Sequence, residues 1–308
     1  MRVFFLSLLL GVLHFSNALA SSDSPAVVRD SMAISTIDSI DARPMQALGR
    51  PGPFDMITNI PSDWWHWSKQ TFTVKQLPVI AVISALTAVT IITDYQTWQI
   101  TKKPYDQSPT FKKINDVTSY LGDGKVQFGL AIAFAGYGFA FNDDRAIRTA
   151  SQTVEVILAC GAVVQLLKHV TGRESPFTAT TPTGLWRFFP NQIEYATHVP
   201  NYDAFPSGHI ATAFGTFMVI AENYPNEKWI QYIGYPVMAS IATGLVATSI
   251  HWWSDIPLGV AMGYSFGRMI AHPEQFNETP DRAGELQTNI GMAFLSNGSP
   301  ALSFTMKW

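Results

Sequence analysis

The sequence predicts an all-α protein: a helical bundle of about six core helices, with a small β-hairpin at the C-terminus. Three observations lead there. Apolar segments recur at 78–93, 126–141, 153–167, 207–221, 231–250 and 256–270, each of helical rather than strand length. Most of them mix Ala, Gly, Ser and Thr with large apolar residues, which suits helices that approach closely. No strand alternation and no repeat of roughly 20–50 residues runs through this stretch, so one bundle is the simplest arrangement.

Ahead of the bundle, Arg2, the apolar run from Val3 to Leu13 and Ala18-Leu19-Ala20 before Ser21-Ser22 have the layout of a secretory signal peptide cleaved after Ala20. An uncleaved anchor is the competing reading. Export predicts a bacterial cell-envelope protein, periplasmic or membrane-associated. Residues 21–75 begin polar and end rich in Pro, Gly and Trp. They predict a disordered start, and then a Trp64-Trp65-His66-Trp67 segment that either caps the core or forms a membrane-interface belt. The helical core spans 76–272. In the tail, 273–308, Ser296-Asn297-Gly298-Ser299-Pro300 is a turn-rich break, and Phe304, Met306 and Trp308 alternate with Thr305 and Lys307, the period of a strand.

Composition narrows the function classes. Only 14% of the 308 residues are charged, 47% are hydrophobic, and the net charge is −3, so nucleic acid is not an expected partner. Cys160 is the only cysteine; it forms no intramolecular disulfide and sits in an apolar run as packing. A spanning helix needs roughly 20 apolar residues, and most of these runs are shorter. One of them carries Glu155 and Gln165, and mean hydropathy is only +0.11. Three spans before residue 168, after a cleaved signal, would put the 168–209 loop inside. Lys102, Lys103, Lys112, Lys113 and Lys125, taken as one loop, favour the same orientation. A wholly periplasmic bundle, or a first helix that does not span, is the alternative, so membrane contact is expected and spanning is left open.

Three short stretches carry chemistry: Lys168 to Pro176, Phe205-Pro206-Ser207-Gly208-His209, and His251-Trp252-Trp253-Ser254-Asp255. Ser207-Gly208 opening a helix offers free amides and the positive end of the dipole to an anion, and Gly208 allows close approach. His209 beside that anion can pass a proton to a leaving oxygen. His251 and Asp255, four apart, would share one helical face, with the carboxylate orienting the ring for nucleophilic attack. Lys168 supplies a point charge for phosphate. Taken singly, each has a plainer role as a core histidine, helix cap or helix-terminal charge.

In their order and spacing, these residues resemble the type 2 phosphatidic acid phosphatase and vanadium haloperoxidase superfamily. Its signature is Lys, six residues, Arg-Pro; Pro-Ser-Gly-His; then Ser-Arg, five residues, His, three residues, Asp. The resemblance implies that Lys168, Ser207 and Gly208 bind phosphate, that His209 is the general acid, and that His251 is the nucleophile, oriented by Asp255. It also implies a phosphohistidine intermediate with no metal and no cofactor. The expected substrate is a phosphomonoester or diphosphate, on a small molecule or a lipid. Two motif arginines are replaced: Ser175 stands in the first motif and Gly244-Leu245 in place of Ser-Arg in the third. Arg173, with Arg187 as a second candidate, is expected to supply a substitute phosphate ligand. The alternatives are a catalytically weakened or inactive binding protein, a vanadate-dependent haloperoxidase, and a zinc site built from His209, His251 and Asp255.

Overall fold

A computed structural model describes residues 49–273, together with the backbone of 287–294 and 300–307. The expected signal peptide, most of the polar N-terminal segment and the turn of the tail lie outside the described residues. Among the described residues the chain forms α1 Asp55–Thr58, α2 Ile60–Thr71, α3 Leu77–Gln107, α4 Pro109–Leu121, α5 Gly124–Phe141, α6 Asp144–Thr171, α7 Gln192–Thr197, α8 Gly208–Asn223, α9 Lys228–Ala247 and α10 Ile256–Ala271. The six apolar segments are α3, α5, α6, α8, α9 and α10, so the all-α bundle is the observed fold. In the tail, β1 Gln287–Phe294 and β2 Pro300–Lys307 pair antiparallel, with Gln287 opposite Lys307 and Phe294 opposite Pro300.

Two boundaries differ from expectation. α3 continues well past the apolar run that ends at Thr93, through a polar turn carrying a Lys102–Asp106 pair at 2.6 Å. A second helix, α4, occupies what the lysines suggest is a loop. Ser108 caps it by accepting from the Phe111 amide, and Lys112–Asp116 pair along it at 2.8 Å. Such i, i+4 pairs and a side-chain cap sustain a helix whose apolar positions are few.

α8 is the buried centre. Gly259, Gly263 and Gly267 of α10 lie against it. A Cβ on Gly263 would stand 2.3 Å from the Ala211 carbonyl, and one on Gly259 would stand 2.7 Å from that of Ser207. Backbones this close require glycine on the facing side, and the seam fixes the start of α8 against the start of α10. Around it Val156, Cys160, Val164, Ala211, Val219 and Phe266 form the core. The tryptophan segment is a cap on that core: Trp67 stacks on Phe266 at 4.7 Å, and Trp64 donates to the Ala159 carbonyl at 3.0 Å.

Three helices, α3 with the turn before it, α6 and α9, are long and apolar enough to cross a membrane. They are longer than the apolar runs alone suggest. The apolar window of α3 has none of its residues buried in the protein, and Val82, Val89 and Ile92 on it, like Ile132 and Phe139 on α5, face outward. Contiguous apolar surface of this kind is what a bilayer covers.

Candidate active site

Gly172 ends α6 in the left-handed conformation (φ 53°), and a Cβ there would stand 2.1 Å from the Arg187 carbonyl oxygen. Only glycine therefore makes the turn that leads from Lys168, in the last turn of α6, directly into Arg173. At the other side of the site, Ser207 caps α8 by accepting from the Ile210 amide, and its own amide donates to the Asp255 carbonyl at 3.0 Å. The second and third motifs are thus tied through the backbone.

His251 and Asp255 do not share an α-helical face. Both Ile250 and His251 donate their amides to the Leu245 carbonyl at the end of α9, and residues Trp253–Asp255 form a single 3₁₀ turn. Pro257 sits in the first turn of α10, where proline is tolerated only at a helix start, so the helix cannot extend back to His251. The pair still meets, with His251 Nδ1 3.5 Å from Asp255 Oδ2. The hydrogen bond to the ring is made elsewhere: Nδ1 lies 2.9 Å from the Ala204 carbonyl oxygen.

That carbonyl decides the chemistry of both rings. A carbonyl only accepts, so His251 carries its proton on Nδ1 and, when neutral, a lone pair on Nε2. Nε2 is 3.2 Å from His209 Nδ1, which must then be the donor. The pair is an imidazole with a free lone pair on Nε2 facing an imidazole N–H. Burial, reinforced by Lys168, pushes His251 down to about 3, and burial with the adjoining His251 ring pushes His209 down to about 3. Both are neutral at pH 7, as the arrangement requires. Burial raises Asp255 to about 6 against the pull of Arg173, which leaves it ionised at that pH.

Lys168 is 4% exposed and lies beside the α8 N-terminus: a Cβ on Gly208 would be 3.7 Å from its Nζ. Together with the first-turn amides of α8, which have no partner within the helix, it forms a compact anion site next to both histidines. Lys168 also meets Asp203, at 3.4 Å.

Arg173 is placed differently from the sequence-based expectation. Its guanidinium is fully buried and donates to Asp255 at 2.5 Å, to Ser254 Oγ at 2.6 Å, to Asp94 at 2.6 Å and to the Thr183 carbonyl at 2.6 Å. It lies behind Asp255, between the rings of Trp186 and Trp252. Two facing carboxylates bind a guanidinium fork better than a solvent-facing phosphate site can hold it. Arg187 is likewise engaged, 2.7 Å from Glu174. Burial works to raise Glu174, but the Thr180 and Leu185 amides and Arg187 outweigh it and hold the carboxyl low.

The motif departures have packing reasons. Leu245 is fully buried in a cluster with Ile210, Ile241 and Ile256, and a Cβ on Gly244 would stand 2.7 Å from the Ser119 amide on α4. Thus α4, the unexpected helix, packs against Gly244, and Leu245, at the arginine position, fills the core between α8, α9 and α10. Sequence reasoning also missed Asp94, Ser254, Asp203 and Ala204. Asp94 alone left a signal, as an isolated carboxylate just beyond an apolar run. A cavity of about 300 Å³ lined by Arg50, Asp63, His66, Arg148 and Glu155 shares no residue with this cluster. Among the described residues no group of three or more His, Cys, Asp or Glu is arranged to hold a metal.

A search of curated protein sequences returns no match. One solved structure, the first transmembrane PAP2 type phosphatidylglycerolphosphate phosphatase from Bacillus subtilis, aligns with 74% of this chain and 100% of its own. Identity is 14% and the TM-score 0.39, a likeness too distant to bear on the site. The sequence model of the PAP2 superfamily matches residues 150–277, a stretch that contains all three motifs. Over residues 150–277, less than half of the chain, the protein is thus similar to the PAP2 superfamily.

Proposed function

We propose that the protein is a phosphatase of the bacterial envelope that hydrolyses a phosphomonoester or diphosphate through a phosphohistidine on His251. The observation that carries this reading is the 3.2 Å contact between His251 Nε2 and His209 Nδ1, with the tautomer set by Ala204, beside Lys168 and the α8 N-terminus. A phosphoryl group held by Lys168 and the α8 amides is attacked by His251 Nε2. The N–P bond forms as the P–O bond to the leaving group breaks, and the leaving oxygen takes a proton from His209, which acts in its imidazolium form, protonated from solvent once the bound phosphoryl anion offsets the Lys168 charge. His209, now a base, activates the water that releases phosphate and returns the proton. Asp255 supports the cation that develops on His251 from 3.5 Å away, without being its hydrogen-bond acceptor in the resting site.

The outward apolar faces of α3 and α5 support a membrane-embedded enzyme and hence a lipid phosphate as substrate. So do Phe177, Phe188, Phe189 and Ile193, all exposed on the segment that joins Arg173 to Asp203. The second reading, a weakened or inactive binding protein, is favoured by one observation: the place of the motif arginine is filled by buried Leu245. Phosphate release from an aryl phosphate, phosphatidic acid and an isoprenoid diphosphate, measured with chelator present, separates the two. Turnover by the wild type that falls roughly 10⁴-fold or more in His251→Ala supports the enzyme. Silence from folded protein across the whole panel supports the second reading.

A further inference from the structure

Lys168 is the cation nearest the α8 N-terminus, and it already has a partner. Asp203 stands 3.4 Å from it, with its side chain 27% exposed against 5% for Lys168, so the carboxylate is the outer member of the pair. Its position is built rather than incidental. Asp203 forms a parallel backbone bridge with Arg173, the Ala204 amide donates to the Arg173 carbonyl at 3.0 Å, and the Ala204 carbonyl holds His251. The carboxylate's neighbour in sequence thus orients the nucleophile, and Asp203 acts electrostatically on both histidines.

We propose that Asp203 is a specificity-determining carboxylate that selects against phosphoryl groups carrying two negative charges and favours the singly charged, monoprotonated form. The proposal rests on the phosphatase reading and deepens it. The charged groups in the site and directly behind it are Lys168 from α6, Arg173 and Asp203 from the connecting segment, Asp255 from the 3₁₀ turn and Asp94 from α3. Two cations therefore stand against three carboxylates. The Arg187–Glu174 pair beyond them is balanced, Asp123 before α5 adds a further negative charge felt by His209, and the two histidines are neutral. With the motif arginines absent, an incoming dianion must displace Asp203 from Lys168 and then remain beside it. A monoanion faces half that repulsion and can donate its own proton to the carboxylate.

The test is Asp203→Asn, with KM and kcat measured for an alkyl phosphate on both sides of its second ionisation, at about pH 6. Vanadate affinity is measured in parallel. The expected result is a KM for the dianion lowered about tenfold or more, with kcat changed less. KM for the monoanion should move little, and the dianion of vanadate should bind more tightly. If Asp203 only positions Lys168, the substitution raises KM for both ionic forms, and the proposal fails while the phosphatase reading stands. Unchanged KM values overturn it in the same way. If neither protein releases phosphate or binds vanadate, the phosphatase reading fails and the proposal falls with it.

Discussion

The two sides of Asp255 differ sharply. Behind it, Arg173, Asp94, Ser254 and Asp255 form a sealed network in which all four side chains are fully buried and the contacts between side chains are 2.5–2.6 Å. In front, Lys168 meets Asp203 at 3.4 Å and His209 meets His251 at 3.2 Å, with Asp203 and His209 partly open. An arginine that the sequence suggests for phosphate binding lies in the scaffold instead, and the proposed substrate side keeps one lysine. The cationic charge of the domain goes into fixing Asp255 and the turn that presents His251, so positioning here rests on buried ion pairs and substrate attraction on few groups.

Breaking the rear network should have the largest effect on stability. Arg173→Ala strands two buried carboxylates, and a loss of about 3–5 kcal/mol is expected. Chemical unfolding in detergent measures it. Arg173→Lys should recover only part of the loss, because an ammonium cannot bridge both carboxylates with a fork. A loss within error in Arg173→Ala would mean the two sides are equally dispensable.

Restoring the third motif should be smaller and also unfavourable. Gly244→Ser drives a side chain into α4, where the Ser119 amide would stand 2.7 Å from the new Cβ. Overpacking of this kind costs about 1–3 kcal/mol. A neutral result in the same unfolding assay would show that α4 yields readily.

An effect that is absent near neutral pH and grows on acidification sharpens the front. His251 is held at about 3 in the folded protein, below the ordinary value of about 6.5. On acidification the unfolded chain takes up this proton first, so the His251 contribution is fully present above pH ~6.5 and is lost as pH falls toward ~3. The stability difference between wild type and His251→Asn should change by about 1.4 kcal/mol per pH unit inside that window. A flat difference would mean His251 is charged in the folded site.

Much of this was legible in the chain itself. The six apolar segments became helices because each is long enough to bury a face, and their Ala, Gly, Ser and Thr content suits close crossings such as the one at Gly259, Gly263 and Gly267. His209, His251 and Lys168 were legible because residue identity and order together define the motifs. What escaped depends on contacts between distant residues. Ser254 bonds Asp94 across 160 positions, and Arg173 reaches Asp94 across 79, and no local pattern records such partners. α4 escaped because its lysines resemble a loop until Asp116 and Ser108 are seen to support a helix. The orientation of His251 escaped because its partner is the backbone carbonyl of Ala204, a group every residue carries.

The central claim is that His251 Nε2 is the atom that accepts the phosphoryl group. The most direct measurement is rapid quenching in base during turnover of a ³²P-labelled lipid phosphate, followed by peptide mapping of the labelled protein. The account predicts an alkali-stable, acid-labile phosphate on His251 that is absent from His251→Ala and accumulates in His209→Ala given a substrate with a good leaving group. Label on another side chain, or steady turnover with no labelled protein at any quench time, would contradict it.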